Sequence, residues 1–155
     1  MTRSLVAIDT SVLLEWMKAA NPPYDTQSWR DAQSLQALKD HDFVIPAPAL
    51  SEALVKLTRS TRVTVARELE RKYDILPFDR NAALLAAEYR GVAEGERTAT
   101  RQAAKIDDFI LACAVRHKCN ALATTDPEIC KVASRALLAL RVATPADLVV
   151  QPAFL

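Results

Sequence analysis

Glycine is nearly missing from this chain: of 155 residues only Gly91 and Gly95 are glycine, and both sit in one polar stretch. A dinucleotide-binding fingerprint needs three glycines in a tight strand-to-helix turn, and a phosphate-cradling P-loop needs glycines of its own. Neither can be built here, so nucleotide-cofactor chemistry of those two kinds is excluded. Cysteine is scarce and odd in number, and Cys113, Cys119 and Cys130 fit no disulfide framework. No run approaches the ~18 apolar residues of a membrane span. The first apolar stretch breaks at Asp9, too short for the core of a signal peptide. A reduced, cytoplasmic protein that makes no membrane contact is expected. An excess of one charge is missing too, since 20 Lys and Arg against 19 Asp and Glu leave a net charge of +1. Contact with phosphate then has to come from a local basic patch or a metal rather than from a global field.

What is present describes one domain spanning residues 1–155, long enough to bury a core. Half the residues are hydrophobic and a quarter charged, at 50% and 25%, as in ordinary globular chains. Short apolar runs at Leu5–Ile8, Phe43–Ile45, Ile75–Pro77, Ala121–Thr124 and Leu137–Val142 read as strands. Between them lie helical patterns: Val12–Trp16, Trp29–Lys39, a helix from about Ala49, Val63–Lys72, Arg80–Arg90, Ala104–His117, and a short one from Pro127. The stripe Ile106, Phe109, Ile110, Cys113, Ala114 and His117 makes the helix from Ala104 the clearest of them. Residues 91–102 read as a polar loop, and Pro145 begins a last turn. Strands alternating with helices predict an α/β fold, with a mostly parallel central sheet of about five strands flanked by helices on both faces. In such sheets, sites form beyond the C-terminal ends of the strands.

Carboxylates gather at those ends. Asp9 closes the first strand, Asp79 follows the third, and Asp126 follows Ala121–Thr124. Glu52 lies about a turn into the helix after the second strand, and Asp107 and Asp108 lie near the start of the clearest helix. Each has a structural explanation. Asp9, Asp79 and Asp126 can cap helices. Glu52 can pair with Lys56 one turn on, and acids suit the first turn of a helix. Together they are harder to explain that way, because unit charges ~5 Å apart at an effective dielectric of ~20 repel by about 3 kcal/mol per pair. A cation would relieve that repulsion, and an oxygen-only donor set suits Mg²⁺ or Mn²⁺. Such an ion activates water and steadies charge on a phosphoryl group.

Other chemistry is weaker. Cys113 and His117 stand one turn apart, but no C-x-x-C is present and both fall on the apolar stripe, so core packing is expected rather than zinc. No G-x-S-x-G elbow exists, and nothing in the sequence marks His41 or His117 as a base.

The segments AIDTSVLLEW, ALSEALVKL and KIDDFILACAVRHKCNALATTD resemble, in order and spacing, the acidic motifs of PIN-domain ribonucleases, the fold of the VapC-type toxins. The resemblance implies hydrolysis of RNA phosphodiesters by metal-activated water. It also implies an acidic quartet of Asp9, Glu52, Asp107 and Asp126 around Mg²⁺ or Mn²⁺, assisted by Ser11 and Thr124. Helix capping is the competing explanation for those two hydroxyls. Asp107 has Ile110, Ala112 and Ala114 at the family's spacing, so it is preferred over Asp108, which points ~100° away on a helix. Asp108 is kept as a supporting residue, and Asp79 is expected to be a cap. Arg97, Arg101 and Lys105 lead into the acidic helix and are the candidate RNA contacts. As a toxin of a toxin–antitoxin pair, the protein would have an antitoxin covering an apolar groove and would form a homodimer. Leu13, Leu14, Trp16 and Trp29 are candidates either for those surfaces or for the core. The alternative is a PIN-fold binding module that contacts RNA or protein without cleaving.

Overall fold

The computed structural model describes residues 3–18, 25–93, 101–136 and 138–150, with the side chains of residues 92, 93 and 101–103 left out. Strand β1 (Ser4–Ile8) is its central element. Val6, Ala7 and Ile8 have no exposed surface at all, as expected of a strand covered on both sides. On one side β1 pairs with β2 (His41–Pro46), which pairs with β3 (Asp74–Leu76). On the other it pairs with β4 (Ala121–Ala123), which pairs with β5 (Arg141–Ala143). All four pairings are parallel, and the order is β3-β2-β1-β4-β5. The expected α/β sheet of about five strands is thus five-stranded and wholly parallel.

The alternation along β1 divides the core. Val6 and Ile8 face α1 (Thr10–Trp16), α2 (Gln27–Gln36), α4 (Arg59–Lys72) and α8 (Pro145–Val150), through Leu13, Leu35, Leu69 and Leu148. Ala7 faces the layer built from α5 (Arg80–Ala93), α6 (Arg101–Arg116) and α7 (Pro127–Arg135), through Ala86, Ile110, Leu111 and Ile129. Helix α3 (Ala47–Leu54) touches both, with Ala49 on one side and Ala53 on the other. Among the described residues no helix is long and apolar enough to cross a membrane.

Helix starts lie earlier than apolar periodicity suggests, because polar caps set them. Thr26 accepts a hydrogen bond from the Trp29 N–H and begins α2 at Gln27; Thr58 does the same for the Thr61 N–H and begins α4 at Arg59. Helix α3 begins at Ala47 rather than Ala49 and stops at Leu54, where Arg62 donates to the carbonyls of Leu54 and Val55. Helix α5 continues through Gly91 to Ala93 and α6 begins at Arg101, so both enter the expected polar loop, whose residues 94–100 lie outside the described residues. Strand β5 begins at Arg141 rather than Leu137, which lies outside the described residues. Leu13 is fully buried, Leu14 packs against the core, and Trp16 stacks on Tyr73 and meets Phe43 edge-on. The Trp16 indole N–H donates to the Ala32 carbonyl at 2.7 Å. Leu13, Leu14 and Trp16 thus serve the core, and Trp29 is half-buried on α2.

Candidate active site

Chain direction reverses around β1: the next two strands build outward on one side, the last two on the other. In open parallel sheets that switch point, at the C-terminal strand ends, is where a crevice forms. Asp9 stands there. Its backbone N–H extends the ladder to the Ala123 carbonyl at 3.0 Å, and its carbonyl accepts from the N–H groups of Val12 and Leu13. Asp9 has the N-cap position of α1, yet its side chain makes no capping hydrogen bond. Capping therefore does not explain it.

The carboxylate is instead held by hydroxyls. Thr124 Oγ1 donates to Asp9 Oδ2 at 2.6 Å and Ser11 Oγ donates to the same oxygen at 2.9 Å. Both hydroxyls also accept, Thr124 from the Asp126 N–H at 2.9 Å and Ser11 from the Thr125 N–H at 3.1 Å. Two hydroxyls thus tie the end of β1 to the turn after β4. Asp9 is 3% exposed, and among the described residues no cation pairs with it. Burial raises its pKa above the ordinary 3.8, the Thr124 and Ser11 hydroxyls and the Thr10 N–H oppose that, and the charge of Asp126 adds to it.

Asp126 caps α7, its Oδ1 accepting from the Glu128 N–H at 2.9 Å. Capping and proximity to Asp9 are both true of it. Glu52, exposed on α3, accepts at Oε2 from Thr10 Oγ1 at 2.7 Å. Its partner is thus Thr10, across two elements, and not Lys56. Thr10 lies inside the AIDTSVLLEW segment, next to Asp9, but sequence reasoning assigned it no role.

On α6, Asp107 is half-buried, while Asp108 is 1% exposed with Oδ2 3.9 Å from Arg90 Nη1 on α5. Asp108 thus belongs to the α5–α6 contact. Lys105 is exposed near the start of α6. Arg101 is the first residue of that helix, and its side chain, like Arg97, lies outside the described part of the structure. Asp79 does cap: its Oδ1 accepts from the Ala82 N–H at 2.9 Å, and its Oδ2 lies 3.1 Å from Arg116 Nε.

Among the described residues no three Asp, Glu, His or Cys side chains stand close enough together to form a ready-made metal site. Asp9, Glu52 and Asp126 are hard-oxygen donors hydrogen-bonded into the same strand-end region, and among the described residues no Lys or Arg pairs with Asp9. That chemistry fits Mg²⁺ or Mn²⁺. Zinc at Cys113 and His117 is not supported, because both side chains turn to the Pro77 carbonyl, Sγ at 3.7 Å and Nε2 at 3.0 Å. Burial pushes the Cys113 thiol up to about 12 and that of Cys119 to about 11, which keeps both protonated.

The family profile described as PIN domain matches residues 6–135. Among solved structures, VapBC-1 from nontypeable Haemophilus influenzae aligns with a TM-score of 0.63 at 14% identity, over 91% of this chain and 98% of that one. FitAcB from Neisseria gonorrhoeae aligns at 0.59 and 24% identity, over 90% and 97%. VapC20 from Mycobacterium tuberculosis, described as a toxin that cleaves the sarcin–ricin loop, aligns at 0.58 and 18% identity, over 88% and 98%. At these identities the likeness is one of fold. No curated protein sequence matches closely enough to count as a relative.

Proposed function

The chain belongs to the PIN domain family, and from that premise we propose that it is a divalent-metal-dependent endoribonuclease, the toxin of a toxin–antitoxin pair. One observation carries the reading: Asp9 is buried at the switch point of the sheet, paired with no cation among the described residues, and held by two hydroxyls rather than used as a helix cap. A fold keeps such a carboxylate at a cost in desolvation. A divalent cation offsets that cost, and Asp9, Glu52, Asp107 and Asp126 are the side chains that would hold Mg²⁺ or Mn²⁺. The ion would supply activation of water and stabilisation of charge on the phosphoryl group.

The chain's own residues do the rest. Ser11 and Thr124 fix the orientation of Asp9 by saturating Oδ2, and the turn from Thr124 to Asp126 keeps the second carboxylate beside the first. Lys105, with Arg101 and Arg97, supplies cations for the RNA backbone. Structures of toxin–antitoxin complexes among the neighbours, including one from Klebsiella pneumoniae, support a cognate antitoxin as partner. Homodimerisation and a cytoplasmic location complete the proposal.

The test is cleavage of a mixed structured RNA with Mn²⁺ or Mg²⁺, with EDTA and Asp9→Asn as controls and Mn²⁺ binding followed by calorimetry. Metal-dependent cleavage lost in both controls is the expected result. No cleavage together with no Mn²⁺ binding would overturn the nuclease and favour the non-catalytic binding module.

A further inference from the structure

Three carboxylates joined by hydrogen bonds to the switch-point region share one habit. Each gives an oxygen to a donor from the protein: Asp9 Oδ2 to Ser11 and Thr124, Asp126 Oδ1 to the Glu128 N–H, and Glu52 Oε2 to Thr10. For Asp9 and Asp126 these donors lie on the residue's own turn or on the adjoining strand end. Glu52 differs. It is exposed, stands on a separate helix, and has a long side chain with several rotors, so nothing in α3 by itself aims it at Asp9.

We infer that Thr10 is a positioning residue that selects the orientation of Glu52 toward the metal site, an inference that rests on the metal-dependent reading above. Thr10 suits this task. It is 8% exposed and β-branched, which leaves it little freedom at χ1. Its backbone is pinned by Asp9, whose N–H bonds the Ala123 carbonyl and whose carbonyl receives the N–H groups of Val12 and Leu13. The hydroxyl is therefore a donor in a fixed place, one residue from Asp9, and its bond to Glu52 spans 42 residues of chain at 2.7 Å. A hydroxyl bonded to one carboxylate oxygen orients the other, as partners behind metal ligands commonly do. Without that donor, the exposed Glu52 side chain is free to turn into solvent.

The experiment is calorimetric titration of the full chain with Mn²⁺ alone, for the unmutated protein, Thr10→Val and Thr10→Ser, each also in a Glu52→Gln background. Thr10→Val is expected to weaken Mn²⁺ binding about tenfold, Thr10→Ser to restore it, and Thr10→Val to change nothing further once Glu52 is glutamine. Unaltered affinity in Thr10→Val overturns the inference. An equal loss in the Glu52→Gln background also overturns it, because Thr10 would then act through the fold. Should the valine variant melt early, Thr10→Ala carries the same comparison. If the unmutated chain binds Mn²⁺ and Glu52→Gln binds it as well, positioning of Glu52 is refuted while the nuclease stands. If the unmutated chain neither binds Mn²⁺ nor cleaves RNA, the nuclease itself falls and takes this inference with it.

Discussion

Asp9 and Asp79 occupy the same kind of place, between a parallel strand and the helix that follows, and they end in opposite electrostatic states. Asp79 follows the edge strand β3. There it caps α5 through the Ala82 N–H and pairs with Arg116, and these partners hold its pKa below the ordinary 3.8. Asp9 follows the central strand β1, caps nothing, meets hydroxyls and no cation among the described residues, and has its pKa raised chiefly by burial. An edge junction lets a carboxylate serve the fold. A central junction, sealed by sheet and helices, makes the same carboxylate a liability unless something outside the protein neutralises it. A carboxylate at a strand end therefore points to function when its local capping duty is left undone.

The largest effect should come from removing each acid in turn. Asp9→Asn is expected to cut metal-dependent RNA cleavage by at least about a hundredfold. It should also raise the melting midpoint of the metal-free protein, since a buried charge is gone while the amide oxygen still accepts from Ser11 and Thr124. Asp79→Ala is expected to do the reverse, leaving cleavage intact and lowering the midpoint. Cleavage assays beside melting curves check both, and loss of cleavage in Asp79→Ala would break the contrast.

A smaller effect is expected of Thr124→Val, which deletes the donor to Asp9 and the acceptor of the Asp126 N–H in one step. Mn²⁺ affinity should fall about 10- to 100-fold, read by calorimetry, with α7 retained in the circular dichroism spectrum.

The smallest effect is on pH dependence, and the sign differs between the two acids. Asp79 has a lowered folded pKa, so its stabilisation is present above the unfolded value near 3.8 and is lost as pH falls through the lower folded value. Asp9 has a raised one, so its favourable contribution is complete below 3.8 and is lost as pH rises through the higher folded value. Urea titrations of the metal-free protein and the two variants, taken down through the carboxylate range, should show Asp9→Asn gaining relative to the parent above that window. Asp79→Ala should lose its deficit below it. Parallel curves for all three proteins would contradict the assignment.

Much of the fold was legible because burial writes itself into period and length. The apolar runs at Leu5–Ile8 and Ala121–Thr124 read as buried strands, and the stripe of the clearest helix put Cys113 and His117 on the packed face, where the Pro77 carbonyl holds them. Helix starts were less legible. Apolar periodicity is silent in a first turn whose formation depends on Thr26 or Thr58 accepting an N–H, and on Arg62 closing α3 from the next helix. In the candidate site, Asp9 and Asp126 stood out by position and Ser11 and Thr124 through the family resemblance, and the four are joined by hydrogen bonds. Asp107 and Asp108 differ in burial, which the sequence did not show: Asp108 is buried beside Arg90 on a different helix, and Asp107 is half-buried.

The sequence by itself determined the parallel α/β architecture and the acids at its strand ends, because hydrophobic period and the breaks in it are local properties of the chain. Only the tertiary structure decided what each acid does. Whether a carboxylate caps, pairs or stands buried depends on donors and cations far along the chain, such as Thr124 for Asp9, Thr10 for Glu52 and Arg116 for Asp79. Folding brings those groups within the few ångströms over which a hydrogen bond or an ion pair acts.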